Sequence, residues 1–134
     1  MKKAEKEDLI IRRSFPLYYA NTEIWCFELD SLSVHTDMMV SKFLQELPAI
    51  RRPSAPSLVF INLSETLVTK DSADIMISRL LSIGRLKKVA FVGLNVVMRT
   101  YLGARLNKHD GLFAYGFFAD LEQAKIWLVS KGIT

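Results

Sequence analysis

Two short apolar runs decide what this chain can become. Leu58-Val59-Phe60-Ile61 and Val89-Ala90-Phe91-Val92 contain no polar side chain, and both are too short for a helix. A strand that is apolar on both faces needs cover on both faces. That is the pattern of a parallel sheet packed between helices. The segments around these runs supply the helices. Val40, Phe43, Leu44 and Leu47 fall at i, i+3, i+4 and i+7, on one face of a helix that Thr36 or Ser33 caps and Pro48 stops. From Ala73 to about Gly84 the polar residues Asp74, Ser78 and Ser82 recur every fourth position among apolar ones, which predicts a second helix. Asn95 is placed to cap a third helix running through Leu106. Asp120, with Gln123 three residues on, opens a last helix that Lys131 and Gly132 close.

The remaining strands read less sharply. Phe15 to Ala20 is apolar and aromatic, and Pro16 confines it to a sheet edge. Asn21-Thr22 provides turn chemistry, and Ile24 to Leu29 is its antiparallel partner. Leu112 to Phe118 is the last strand. The order is β-β-α-β-α-β-α-β-α: an α/β sandwich with a mostly parallel sheet, one antiparallel edge and helices packed on it. At 134 residues this is one domain, expected over 9–134 behind a charged, disordered tail at 1–8.

Composition narrows function by exclusion. Lys and Arg number 18 against 14 Asp and Glu, but the excess is scattered in pairs such as Arg12-Arg13, Arg51-Arg52 and Lys87-Lys88. These read as solvated element ends, and no basic stripe with interleaved aromatics points to nucleic acid. The single cysteine, Cys26, and two distant histidines, His35 and His109, offer no disulfide and no metal set, and Cys26 reads as a small core residue. No apolar run is long enough to span a bilayer, and the charged start is no secretory signal, so a cytoplasmic location is expected. The chain lacks a GxSxG elbow, a GxxxxGK[ST] phosphate loop and a GxGxxG turn, and no carboxylate spacing singles out an acid–base pair. Asp30, Glu65, Asp71, Asp74 and Asp110 sit in or beside connections, where solvation accounts for them. No catalytic residue, cofactor or metal is expected, and the chain reads as no enzyme. Gly93 reads as a tight turn after the second run.

One polar feature stands out. Asp71-Ser72 sits at a loop–helix junction with Asp74 close behind, so that either Asp71 or Ser72 caps the helix or Ser72 is a phosphoacceptor. The stretches Leu58-Val-Phe-Ile-Asn-Leu-Ser64, Asp71-Ser72, Val89-Ala-Phe-Val-Gly-Leu94 and Asp120-Leu-Glu-Gln-Ala124 resemble the STAS family, the SpoIIAA-like anti-sigma factor antagonists and the cytoplasmic domains of sulfate transporters. The resemblance implies a SpoIIAA-like fold and a bacterial regulatory or scaffolding module without catalysis. Its partner would be a kinase-like anti-sigma factor or a transporter-associated protein, and Ser72 would be the phosphoacceptor. The docking face would be formed by Asn62, Ser64, Thr66, Thr69, Asp71 and Asp74. The alternative is a Sec14-like carrier of a lipid or small apolar ligand, with Met38, Met39, Met76, Met98 and the aromatics of the last strand lining a cavity. The first edge, rich in Tyr18 and Tyr19, offers a surface for a second copy.

Overall fold

The computed structural model describes residues 11–109 and 112–131. The expected tail at 1–8, Asp110 and Gly132 lie outside them. In chain order the described elements are β1 Phe15–Tyr19, β2 Thr22–Glu28, α1 Thr36–Glu46, a single-turn α2 Pro48–Arg51, β3 Leu58–Asn62, α3 Lys70–Leu81, β4 Lys88–Val92, α4 Val96–Asn107, β5 Ala114–Phe118 and α5 Leu121–Val129. The sheet runs β1-β2-β3-β4-β5, antiparallel between β1 and β2 and parallel elsewhere.

Each parallel strand lies beside the one before it, so right-handed crossovers all step in the same direction and deliver their helices to one face. Met39 and Phe43 of α1, Met76 and Leu80 of α3, and Leu102 and Leu106 of α4 meet Phe27, Val59, Ile61, Val89 and Phe91 there. The alternate residues Ile24, Cys26, Phe60 and Ala90 face the other way and are covered by Ala124 and Leu128 of α5. The two apolar runs are therefore clad on both faces, as their composition requires, and each fully buried Val, Leu, Ile or Phe side chain contributes about 1.5–3 kcal/mol. Tyr115 and Phe117 pack on the three-helix side, whereas Phe118 packs against Trp127 of α5.

Several local expectations are corrected. The turn between β1 and β2 is Ala20-Asn21, with φ of 52° and 62°, the left-handed pair that a two-residue hairpin demands. Pro48 does stop α1, which ends at Glu46, but it also opens the single turn α2 at the position where a missing N–H costs nothing. Neither Thr36 nor Ser33 caps α1: its N-cap is His35, and the Thr36 hydroxyl donates instead to the Leu67 carbonyl at 2.9 Å. Helix α3 starts three residues early, at Lys70, and Thr69 is its cap rather than Asp71 or Ser72. Asn95 and Asp120 do cap α4 and α5, accepting from Met98 N–H at 2.8 Å and Gln123 N–H at 2.9 Å.

Lys88 is the largest departure from the sequence reading. Instead of a solvated end it is 5 % exposed, with Nζ donating to the carbonyls of Trp127 (2.8 Å) and Ser130 (2.9 Å) and to the Ser130 hydroxyl (3.0 Å). Those carbonyls lie at the C-terminal end of α5, where the helix dipole favours a cation. Burial pushes the ammonium below its ordinary range, and the three bonds hold it in place. Lys88 thus fastens α5 to the end of β4.

Candidate functional site

The C-terminal ends of β2, β3 and β4 open onto one rim, the place where parallel sheets present their loops. Two of those loops are knitted together. Ser31 N–H donates to Ser64 O at 2.8 Å, Ser33 N–H to Glu65 O at 2.9 Å, and Leu67 N–H to Ser33 O at 2.7 Å. Ser31, Ser33 and Glu65 all take positive φ, the left-handed backbone that non-glycine residues adopt only when their surroundings impose it. Beneath them, Leu63 N–H donates to Val92 O at 2.8 Å. Gly93, at φ 90°, lies so close to Ser64 that an added Cβ would sit 2.5 Å from its Oγ and 2.6 Å from its Cα.

Most of the residues singled out in the sequence turn inward to build this rim. Asn62 Nδ2 donates to Glu28 Oε1 at 3.2 Å, while its Oδ1 accepts from Ser64 N–H at 3.1 Å. The Thr66 hydroxyl donates to Leu29 O at 2.8 Å and accepts from Leu32 N–H at 3.0 Å. Asp74 accepts from the Tyr101 phenol at 2.8 Å and pairs with Arg105 at 3.5 Å, joining α3 to α4. The bond to Asp74 pushes the Tyr101 phenol upward. Thr69 and Asp71 remain exposed.

Ser72 is not at the helix tip. It is the third residue of α3, 3 % exposed. Its Oγ accepts from Thr69 N–H and donates to Thr69 O, both at 2.9 Å, and its own N–H donates to Thr69 Oγ1 at 3.1 Å. This is a reciprocal capping box in which a serine takes the place of the usual Glu or Gln. Position 72 looked like a cap because serine and aspartate favour caps; the threonine three residues earlier took that role and drew the serine inside.

The open part of the rim is apolar, which the sequence reading missed. Val34 is 70 % exposed, Leu67 49 %, Val96 64 % and Val97 67 %. All four lie in connections or first helical turns that follow β2, β3 and β4. The valines of α4 carried a signal: its buried residues are Met98, Leu102 and Leu106, so Val96 and Val97 fall off the core-facing stripe. Between α1 and α3 a groove of about 440 Å³ runs back from the rim, with Ser72 in its wall. A second cleft, of about 660 Å³, lies between α1 and the segment leading into β1. Ile11, Trp25, Leu32, Met38 and Ala49 line it together with Lys42. The indole N–H of Trp25 is buried there without a hydrogen-bond partner among the described residues. Met38 alone of the four anticipated methionines lines this cleft; Met39, Met76 and Met98 are in the packed core.

At the foot of the rim Asp30 is buried, contrary to the solvated role read from its position, and pairs with Arg12 at 3.0 Å through Oδ2. Its Oδ1 is buried with no partner among the described residues. The negative charge of Asp30 acts on Glu28. Burial raises the Glu28 carboxyl above its ordinary 4.5, Asp30 adds to the rise, and the Asn62 amide opposes it. Burial, with Glu28 adding, pushes the Cys26 thiol up to about 12, so it is un-ionised and inert. Among the described residues no group of three His, Cys, Asp or Glu side chains gathers as a metal site, and no helix is long and apolar enough to cross a membrane.

No protein-family model matches this chain, and no curated protein does. Among solved structures it is similar to an uncharacterized protein of the DUF3478 family with a SpoIIAA-like fold from Shewanella loihica PV-4. The two are 17 % identical at a TM-score of 0.49, covering 87 % of this chain and 92 % of the other. A likeness at that identity carries no activity across.

The buried Glu28 carboxyl sets a pH dependence. A carboxyl whose folded pKa is raised favours folding below its unfolded value and loses that contribution as pH rises through the folded one. Glu28→Gln imitates the protonated form and removes the like charge that Asp30 opposes. Urea denaturation is expected to show it more stable than wild type at pH 7, by about 1 kcal/mol, and nearly equal at pH 4. An equal gain at both pH values contradicts this.

Proposed function

We propose that this chain is a non-catalytic cytoplasmic domain that docks a protein partner on the loop rim at the C-terminal ends of its parallel strands. The observation that supports this reading is the exposure of Val34, Leu67, Val96 and Val97 at one end of a sheet whose other large apolar side chains are mostly packed. Exposed apolar side chains gathered at a pre-shaped rim suit a protein contact. The STAS resemblance suggests the partner class, a kinase-like anti-sigma factor or a transporter-associated protein. Self-pairing along the outer edge of β1, where Tyr18 is exposed, belongs to the same reading.

Ser72 enters as a sealed switch. A kinase reaches its hydroxyl only when the first turn of α3 opens, and a phosphoserine no longer fits the capping box. Modification then acts by holding that turn open, an order-to-disorder step, rather than by simple repulsion at a fixed surface. Pull-down from extract of the source cells tests both parts. Val96→Asp/Val97→Asp is expected to lose the partner with an unchanged melting temperature. Ser72→Asp is expected to lose it together with about 1–3 kcal/mol of stability, while Ser72→Ala retains it. Equal recovery by all variants contradicts the docking surface.

The cleft beside Trp25 supports a second reading, a carrier of a small apolar ligand, since its volume is of the order that such sites have. Native mass spectrometry of freshly purified protein is expected to show a reproducible excess mass under that reading. A bare mass for wild type and for Trp25→Ala alike contradicts it.

A further inference from the structure

We infer that the groove between α1 and α3 seats a basic amphipathic helix of the partner, an inference that rests on the docking reading above and specifies it. Val40 and Leu44, one helical turn apart on α1, and Ile75 on α3 form an apolar floor, each side chain half-buried. Both helices lead away from the rim on the same face of the sheet, so the floor is a channel. Its walls present helical backbone whose N–H and C=O groups are already used, which leaves nothing for an extended peptide to pair with. An apolar stripe at i, i+3 and i+4 is what fits such a channel.

Charge selects the occupant. Asp37 and Asp71, both exposed, stand in the first turns of α1 and α3 at the mouth of the groove. No Lys or Arg is among the described residues that line it. The cations nearby are directed away from the groove: Lys70 is turned toward α4, over the Tyr101 ring at 5.4 Å, and Lys42 bonds Ser14, the Glu28 carbonyl and Glu46. Each helix N-terminus offsets about half a charge, so the groove lining itself, with Asp37 and Asp71 and no Lys or Arg, stays net negative on a chain of net charge +4. Lys or Arg flanking the partner's apolar stripe complements those carboxylates, and an acidic helix is repelled.

The test uses a phage-displayed library of amphipathic helices about four turns long, whose flanking positions vary among Lys, Glu and Gln, panned on the full chain. Recovered sequences are expected to be rich in Lys. Their affinity is expected to fall about tenfold on Asp37→Lys/Asp71→Lys, to fall less on Asp37→Asn/Asp71→Asn, and to weaken with added salt. The Asn variant also serves as the folded control. A pool that is rich in Glu, indifferent to charge, or not enriched at all overturns the groove proposal. Binders lost on Val96→Asp/Val97→Asp but untouched by the Asp37 and Asp71 variants overturn the groove and leave the docking rim standing.

Discussion

The ends of β3 and β4 abut with no room for a side chain between them. Gly93 lies against Ser64 because its backbone takes a left-handed conformation and it carries no Cβ. From that contact the rest of the rim follows. Ser64 is held against β4 and gives its carbonyl to Ser31, and the next residues bond Ser33, so the loop after β2 is tied to the loop after β3. Thr36, at the start of α1, reaches back to Leu67. The start of α1 is thus tied to the loop that leads into α3 at one end of the sheet. The exposed apolar side chains sit on a surface that is built before any partner arrives.

Much of the architecture was legible in the sequence because burial on both faces leaves an unmistakable pattern. Leu58–Ile61 and Val89–Val92 became central strands, and Pro16 marked the edge. The caps Asn95 and Asp120 were readable because the side chain and its target lie three residues apart. The site was less legible, since its properties depend on partners distant in the chain. Lys88 looked solvated until the end of α5, some forty residues later, arrived with carbonyls to receive it. Asp30 looked solvated until Arg12 folded across it. Nothing local distinguishes Ser72 at the third position of a helix from Ser72 at its cap; the difference lies in the choice of Thr69 as cap.

The polar residues that drew notice in the sequence mostly hold the rim together, and the groups left open to contact are chiefly valines, a leucine and two aspartates, with Thr69 beside them. This division is physically reasonable. Polar side chains at strand ends satisfy backbone groups that no ladder reaches, so they are used up in building the loops. Contact surface is left to side chains that the core does not need. The sealed Ser72 fits the same division: its hydroxyl serves the helix first, and any regulatory use must begin by opening a turn.

The Gly93–Ser64 contact organises the rim, and urea denaturation of Gly93→Ala beside Gly84→Ala tests this most directly. Gly84 has open space where a Cβ would go, so the alanine there is expected to be neutral or slightly stabilising. Gly93→Ala is expected to cost about 3 kcal/mol or more, from a left-handed backbone and a clash with main-chain atoms together. Two variants of equal stability would contradict the central claim.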